Sequence, residues 1–101
     1  MNRKYECVFF FNPELDEESL SLELQEVEKL IAKGGGSVIT KSQPKVLDMG
    51  YHIKNKKNGY YVLVDFETDP QDIANLKRVL RLKDNILRYT IIAKKEDKVS
   101  L

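Results

Sequence analysis

The stretch spanning residues 51–67 constrains the chain most, because two apolar runs flank a polar, lysine-bearing tip that ends in Asn58-Gly59. Such a tip reads as a β-hairpin turn, since Asn-Gly readily adopts the positive φ angles that tight hairpin turns need. The residues after it, Tyr60-Tyr61-Val62-Leu63-Val64-Asp65-Phe66, are β-branched or aromatic with few exceptions, as a strand requires. Within that strand Tyr60, Val62, Val64 and Phe66 form an unbroken apolar row, whereas Asp65 and Glu67 share parity with Tyr61 and Leu63. The even row is expected to face the core, and the hairpin to form the centre of a sheet.

The flanking segments supply the rest of a small domain. Lys4-Tyr5-Glu6-Cys7-Val8-Phe9-Phe10-Phe11 reads as the first strand, with Cys7, Phe9 and Phe11 inward and Glu6, Val8 and Phe10 on the other side. Asn12-Pro13 ends it, because proline lacks a ladder donor. Asp16 is placed to cap a helix whose first turn carries Glu17 and Glu18 and whose buried stripe is Leu20, Leu24, Val27 and Ile31. Leu15 and Leu20 fit the two ends of a hydrophobic staple, and Gly34-Gly35-Gly36 stops the helix. A second strand begins at Ser37, is interrupted at Pro44 and resumes through Met49 to Ile53. Asp69-Pro70 opens a second helix with Ile73, Leu76 and Leu80 buried. The last strand runs from Ile86 to Ala93, with Tyr89, Ile91 and Ala93 inward and Arg88, Thr90 and Ile92 on the opposite face.

This sequence of elements, β-α-β-β-α-β, predicts an α+β, ferredoxin-like sandwich in which two helices cover one face of a four-stranded antiparallel sheet. A chain of 101 residues suits one such domain, expected over residues 1–95, with a short polar C-terminal tail over 96–101. No apolar segment approaches the roughly 20 residues that span a bilayer, and the start enters a strand too quickly to be a signal or transit peptide. Cytoplasm is the expected compartment.

Little in the sequence supports catalysis. The single cysteine, Cys7, lies in an apolar run, which excludes an internal disulfide and a multi-cysteine metal site. His52 is the only histidine, and it reads as a strand-edge or hairpin residue. The acids at 16–18 are accounted for by a capped helix start. The triple glycine follows a helix rather than preceding one, so it is a C-cap and not a phosphate cradle. Neither GxxxxGK nor HExxH nor CxxC occurs. The expectation is a chain with no catalytic residues, no metal, no cofactor and no small-molecule substrate.

Charge is informative only once placed. There are 17 Lys and Arg against 16 Asp and Glu, a net charge of +1. Seven acids fall between Glu14 and Glu28, making the first helix acidic. The bases lie at Arg3 and Lys4, at Lys54, Lys56 and Lys57 in the hairpin, and from Lys77 to Lys95, including Arg78, Arg81, Lys83 and Arg88. An acidic side and a basic side suit a module that touches nucleic acid with one surface, and they also suit an ordinary salt-bridged, solvated surface. The open sheet face would show Glu6, Val8, Phe10, Tyr61, Leu63, Asp65, Arg88, Thr90 and Ile92. That mixture is too apolar for ordinary exposed surface and reads as a docking face for protein or for stacked bases.

RNA-recognition motifs share this fold, but Gly59-Tyr60-Tyr61-Val62 fits their strand signature poorly. The chain instead resembles the family of the sixth protein of the bacterial small ribosomal subunit. Tyr5-Glu6, Asn12-Pro13 with Leu15-Asp16, Tyr51, Ile53-Lys54, Gly59-Tyr60-Tyr61 and Leu80-Arg81-Leu82-Lys83-Asp84-Asn85-Ile86 with Arg88 carry the resemblance, which covers residues 4–95. The chain departs from the family pattern at His52, where a proline is usual, and at Asp48, where a base is common. The resemblance implies a structural, non-enzymatic ribosomal protein that binds the central domain of small-subunit rRNA together with the eighteenth small-subunit protein. It implies RNA contacts by Arg3, Lys4, Arg81, Lys83 and Arg88, with Lys54 and Lys56, and a protein-partner surface at Phe10, Tyr61, Leu63 and Ile92. Two other readings stay open from the residues alone: a free-standing single-stranded RNA-binding module using Phe10 and Tyr61, and a ferredoxin-like oligomerisation or regulatory domain.

Overall fold

In the computed structural model, which describes residues 2–94, the hairpin forms but turns at a different place from the one expected. The turn residues are Lys54 and Asn55, with φ of 51° and 65°, and Ile53 pairs directly with Lys56 across them. Two successive left-handed residues suit a two-residue hairpin turn, whose twist matches that of the strands it joins. Asn58-Gly59 instead lies within strand β4 (Lys56–Thr68). Gly59 is there because of a close approach: a Cβ on it would lie 3.2 Å from both Phe10 Cβ and the Phe11 carbonyl oxygen. The expected turn at Asn58-Gly59 is therefore corrected, and the glycine answers to packing.

Strand β1 (Arg3–Phe11) pairs antiparallel with β4 on one side and with β5 (Ile86–Ala93) on the other. The fourth position of the sheet is filled by two short strands laid end to end along β4, namely β2 (Ser37–Lys41) and β3 (Lys45–Ile53). Between them Ser42 replaces a rung of the ladder. Its N–H donates to the Leu63 carbonyl at 2.8 Å, and its hydroxyl accepts from the Leu63 N–H at 2.9 Å. The sheet thus keeps its hydrogen bonds across the break before Pro44, which has no donor of its own.

Helices α1 (Glu17–Lys33) and α2 (Pro70–Arg81) complete the ferredoxin-like sandwich. Asp16 caps α1 by accepting from the Ser19 N–H, and Asp69 caps α2 by accepting from the Gln71 N–H. α1 ends through Gly35, whose φ is +87°, with the Gly36 N–H reaching the Ile31 carbonyl and the Gly35 N–H reaching that of Ala32. This double return to the last turn needs a left-handed residue, which glycine adopts without strain.

The core takes the expected faces: Cys7, Phe9 and Phe11 from β1, Val62, Val64 and Phe66 from β4, and Leu20, Leu24, Val27, Ile31, Leu76 and Leu80 from the helices. Tyr60, Ile73, Tyr89 and Ile91 are half-buried against its margin. Ala93, expected inward, is exposed. It ends an edge strand and is too small to reach cover. The tail expected at 96–101 lies outside the described residues.

Candidate nucleic-acid and protein interface

Alternation along three paired strands builds the uncovered face of the sheet row by row. Phe10 sits between Tyr61 and Arg88, Val8 between Leu63 and Thr90, and Glu6 between Asp65 and Ile92. Successive rows stand roughly 6–7 Å apart. The face therefore grades from an aromatic and cationic end, through an apolar middle, to an end that carries two acids side by side. Phe10 and Tyr61 meet edge to face, with ring centroids 5.6 Å apart at 65°. All four residues of the expected partner surface lie here, and Ile92 is 52% exposed.

At the acidic end, Glu6 and Asp65 are direct cross-strand neighbours, an arrangement that repels unless it is offset. Lys94 Nζ lies 3.3 Å from Asp65 Oδ2, and the Thr40 hydroxyl donates to the same oxygen at 3.2 Å.

The cationic end is assembled from three elements. β3 loses register with β4 between Asp48 and Ile53, so four residues face a single one on the partner strand. Gly50 takes φ +83° within this bulge, and its N–H donates to Asp48 Oδ1 at 2.7 Å. The bulge swings Tyr51 over to β5, where its hydroxyl accepts from Arg88 Nη1 at 3.0 Å and its ring lies 5.8 Å from the guanidinium. Lys54, in the turn, donates to the Asp84 carbonyl at 3.2 Å, and Lys56 pairs with Glu14. The hairpin tip is thereby folded against the start of β5.

The seven expected RNA-contacting bases do not form one patch. Arg88 stands at the aromatic end of the open face, Lys54 reaches the Asp84 carbonyl just before β5, Lys56 shares the parity of the core row and pairs with Glu14, and exposed Arg81 closes α2. Arg3 and Lys4 stand opposite Thr68 and Glu67 at the other end of β1, roughly 20 Å away along the strand. Lys83 is mostly enclosed, its side chain 19% exposed, and it pairs with Glu26 and, at 4.0 Å, with Glu23. It ties the end of α2 to α1, and its hydrogen bond and charge hold the Glu26 carboxyl below the ordinary range.

The acidic and basic sides read from the sequence are thus partly joined. Glu14, Glu23, Glu26 and Glu28 pair with Lys56, Lys83 and Lys41. Sequence reasoning misses Tyr51 as a member of the cationic end. Only Gly50, a residue free to turn left-handed within an apolar strand, hints at the bulge that brings it there.

The geometry keeps Cys7 and His52 apart, one buried in β1 and the other on β3. Burial pushes the Cys7 thiol up to about 12, with a backbone hydrogen bond involving Thr90 opposing the shift. His52 is exposed on β3. Among the described residues no group of three or more His, Cys, Asp or Glu is placed to hold a metal, and no helix is long and apolar enough to cross a membrane.

The sequence profile of the family described as Ribosomal protein S6 matches residues 4–93. This chain belongs to the ribosomal protein S6 family. Small ribosomal subunit protein bS6 of Clostridium acetobutylicum is 38% identical over 90 residues, covering 89% of this chain and 95% of its own. The protein of the same name from Moorella thermoacetica is 35% identical over 95 residues, covering 94% and 97%. The crystal structure of 30S ribosomal protein S6 from Thermotoga maritima superposes with a TM-score of 0.86 over 93% of this chain and 89% of that one. At 24% identity that likeness is one of fold. Members of the ribosomal protein S6 family are structural, non-enzymatic constituents of the ribosome, and as one of them this chain is a cytoplasmic component of the small subunit.

Proposed function

We propose that this chain binds the central domain of small-subunit rRNA and does so together with the eighteenth small-subunit protein. The observation that carries the proposal is the graded sheet face. An apolar strip of Val8, Phe10, Tyr61, Leu63 and Ile92 runs directly into a cationic end made by Arg88, with Lys54 held at the Asp84 carbonyl just before β5. An apolar strip suits a protein partner, and the adjoining cations suit phosphate. One continuous surface can serve both, so that docking of the partner and neutralisation of RNA charge reinforce one another.

In this reading Arg88, Arg81 and Lys54 contact phosphates beside the partner. Arg3 and Lys4 would reach a second RNA segment from the far end of β1. Lys56 contributes charge although it is paired with exposed Glu14, and Lys83 acts chiefly as a tie between the helices.

The test is binding of a transcript of the rRNA central domain, with and without the purified eighteenth protein, across a salt series. Binding is expected to tighten with the partner present. Charge reversal at Arg3, Arg81 and Arg88 should weaken it and flatten the salt dependence, by a slope of about one for each phosphate no longer neutralised. Unchanged affinity and slope in the triple variant would overturn the proposal. Phe10→Ala and Leu63→Ala should abolish the gain from the partner while leaving basal RNA binding. Loss of basal binding to single-stranded RNA instead would favour stacking on the open face.

A further inference from the structure

We infer that Tyr51 is a positioning residue for RNA binding, which fixes the Arg88 guanidinium in the orientation that meets phosphate. The inference rests on the RNA reading of Arg88 and deepens it. Arg88 is exposed on edge strand β5, and a long side chain in that position would ordinarily sample many rotamers. Tyr51 restrains it in two ways. The Tyr51 hydroxyl accepts from Nη1 at 3.0 Å, and the Tyr51 ring stands 5.8 Å from the guanidinium carbon.

A guanidinium carries five N–H donors in a planar fork. The Tyr51 oxygen uses one of them and leaves a fork edge for the paired oxygens of a phosphate. Ordering the side chain before the RNA arrives removes part of the entropy that binding would otherwise lose. The arrangement requires the β3 bulge, since Tyr51 belongs to a strand separated from β5 by two others in the sheet. Gly50 at φ +83° and the Asp48 carboxylate that accepts its N–H hold that bulge.

Two measurements test this. The first needs no RNA: 15N relaxation and exchange of the arginine side chains, of which the chain has four. Arg88 should rotate about its guanidinium bonds more slowly than Arg3. Tyr51→Phe, which keeps the ring and removes the acceptor, should speed that rotation, and Tyr51→Ala should speed it further. Equal rotation in the wild-type protein and Tyr51→Phe would overturn the pairing.

The second is a double-mutant cycle on affinity for the central-domain transcript in the presence of the eighteenth protein. Arg88→Gln should weaken binding roughly tenfold and lower the salt slope by about one. Tyr51→Phe should weaken it roughly threefold to tenfold with the slope nearly kept, and should have no effect in the Arg88→Gln background. A Tyr51→Phe loss that persists in that background would show that Tyr51 acts independently and would overturn the inference. If Arg88→Gln alone leaves affinity unchanged, the RNA role of Arg88 falls and the positioning role with it, even if the rotation data uphold the pair.

Discussion

Burial protects Cys7: the residue is 1% exposed, and the loss of solvation pushes its thiol up to about 12. Only the thiolate reacts readily, so an aromatic disulfide reagent at neutral pH should label Cys7 no faster than the domain unfolds. Labelling in urea should track the unfolding curve. Gly36 is constrained by backbone. A Cβ on it would lie 2.5 Å from the Glu67 carbonyl oxygen and 2.8 Å from Thr68 Cβ, and neither neighbour is the free end of a flexible side chain. Gly36→Ala should therefore cost roughly 1–3 kcal/mol, read as a lower urea midpoint with unchanged slope. Both the thiol and the glycines show where sequence reading succeeds and fails. Alternation within its own strand is enough to place Cys7 correctly. Asn58-Gly59 misleads because the constraint on Gly59 comes from Phe10, on a different strand, while the left-handed angles of the turn fall to Lys54 and Asn55.

At the scale of elements, the helices are the most legible, since their caps and stripes are set by residues a few positions apart. Those caps also give the domain an acid sensitivity. Backbone hydrogen bonds from Ser19 and Gln71 hold Asp16 and Asp69 below their ordinary value of 3.8, and Lys83 holds Glu26 below 4.5. Folded values lower than unfolded ones mean that the unfolded chain binds more protons as pH falls. Stability from these groups is complete above the ordinary carboxylate values and is lost as pH drops through the lowered ones. The urea midpoint should fall from about pH 5 downward. Asp16→Asn with Asp69→Asn, which keeps good caps without a titrating group, should be less acid-sensitive than the wild type. The edge strand is less legible. Pro44 announces its break, but the bulge that redirects Tyr51 depends on neighbours across the width of the sheet.

Across the whole molecule, charge is placed as much for cohesion as for display. Lys83 separates the two uses: Lys83→Met should lower stability by roughly 0.5–1 kcal/mol by removing the tie to Glu26 and Glu23. It should leave affinity for the central-domain transcript within twofold, whereas Arg88→Gln should do the reverse. Of the interface, the composition of the sheet face is readable from strand parity, and the division of the bases between its two ends is not, because that depends on which strands lie together. The pairing of β1 with β4 bears on synthesis as well as on shape. Phe11 meets Tyr60 and Arg3 meets Thr68, so the first strand made is completed only when the region around residue 68 has emerged. At roughly 5–20 residues per second of elongation, the run Phe9-Phe10-Phe11 stays unpaired for some seconds on every nascent chain. A chaperone that holds apolar segments at the ribosomal exit would find its target in β1 while that strand waits for β4.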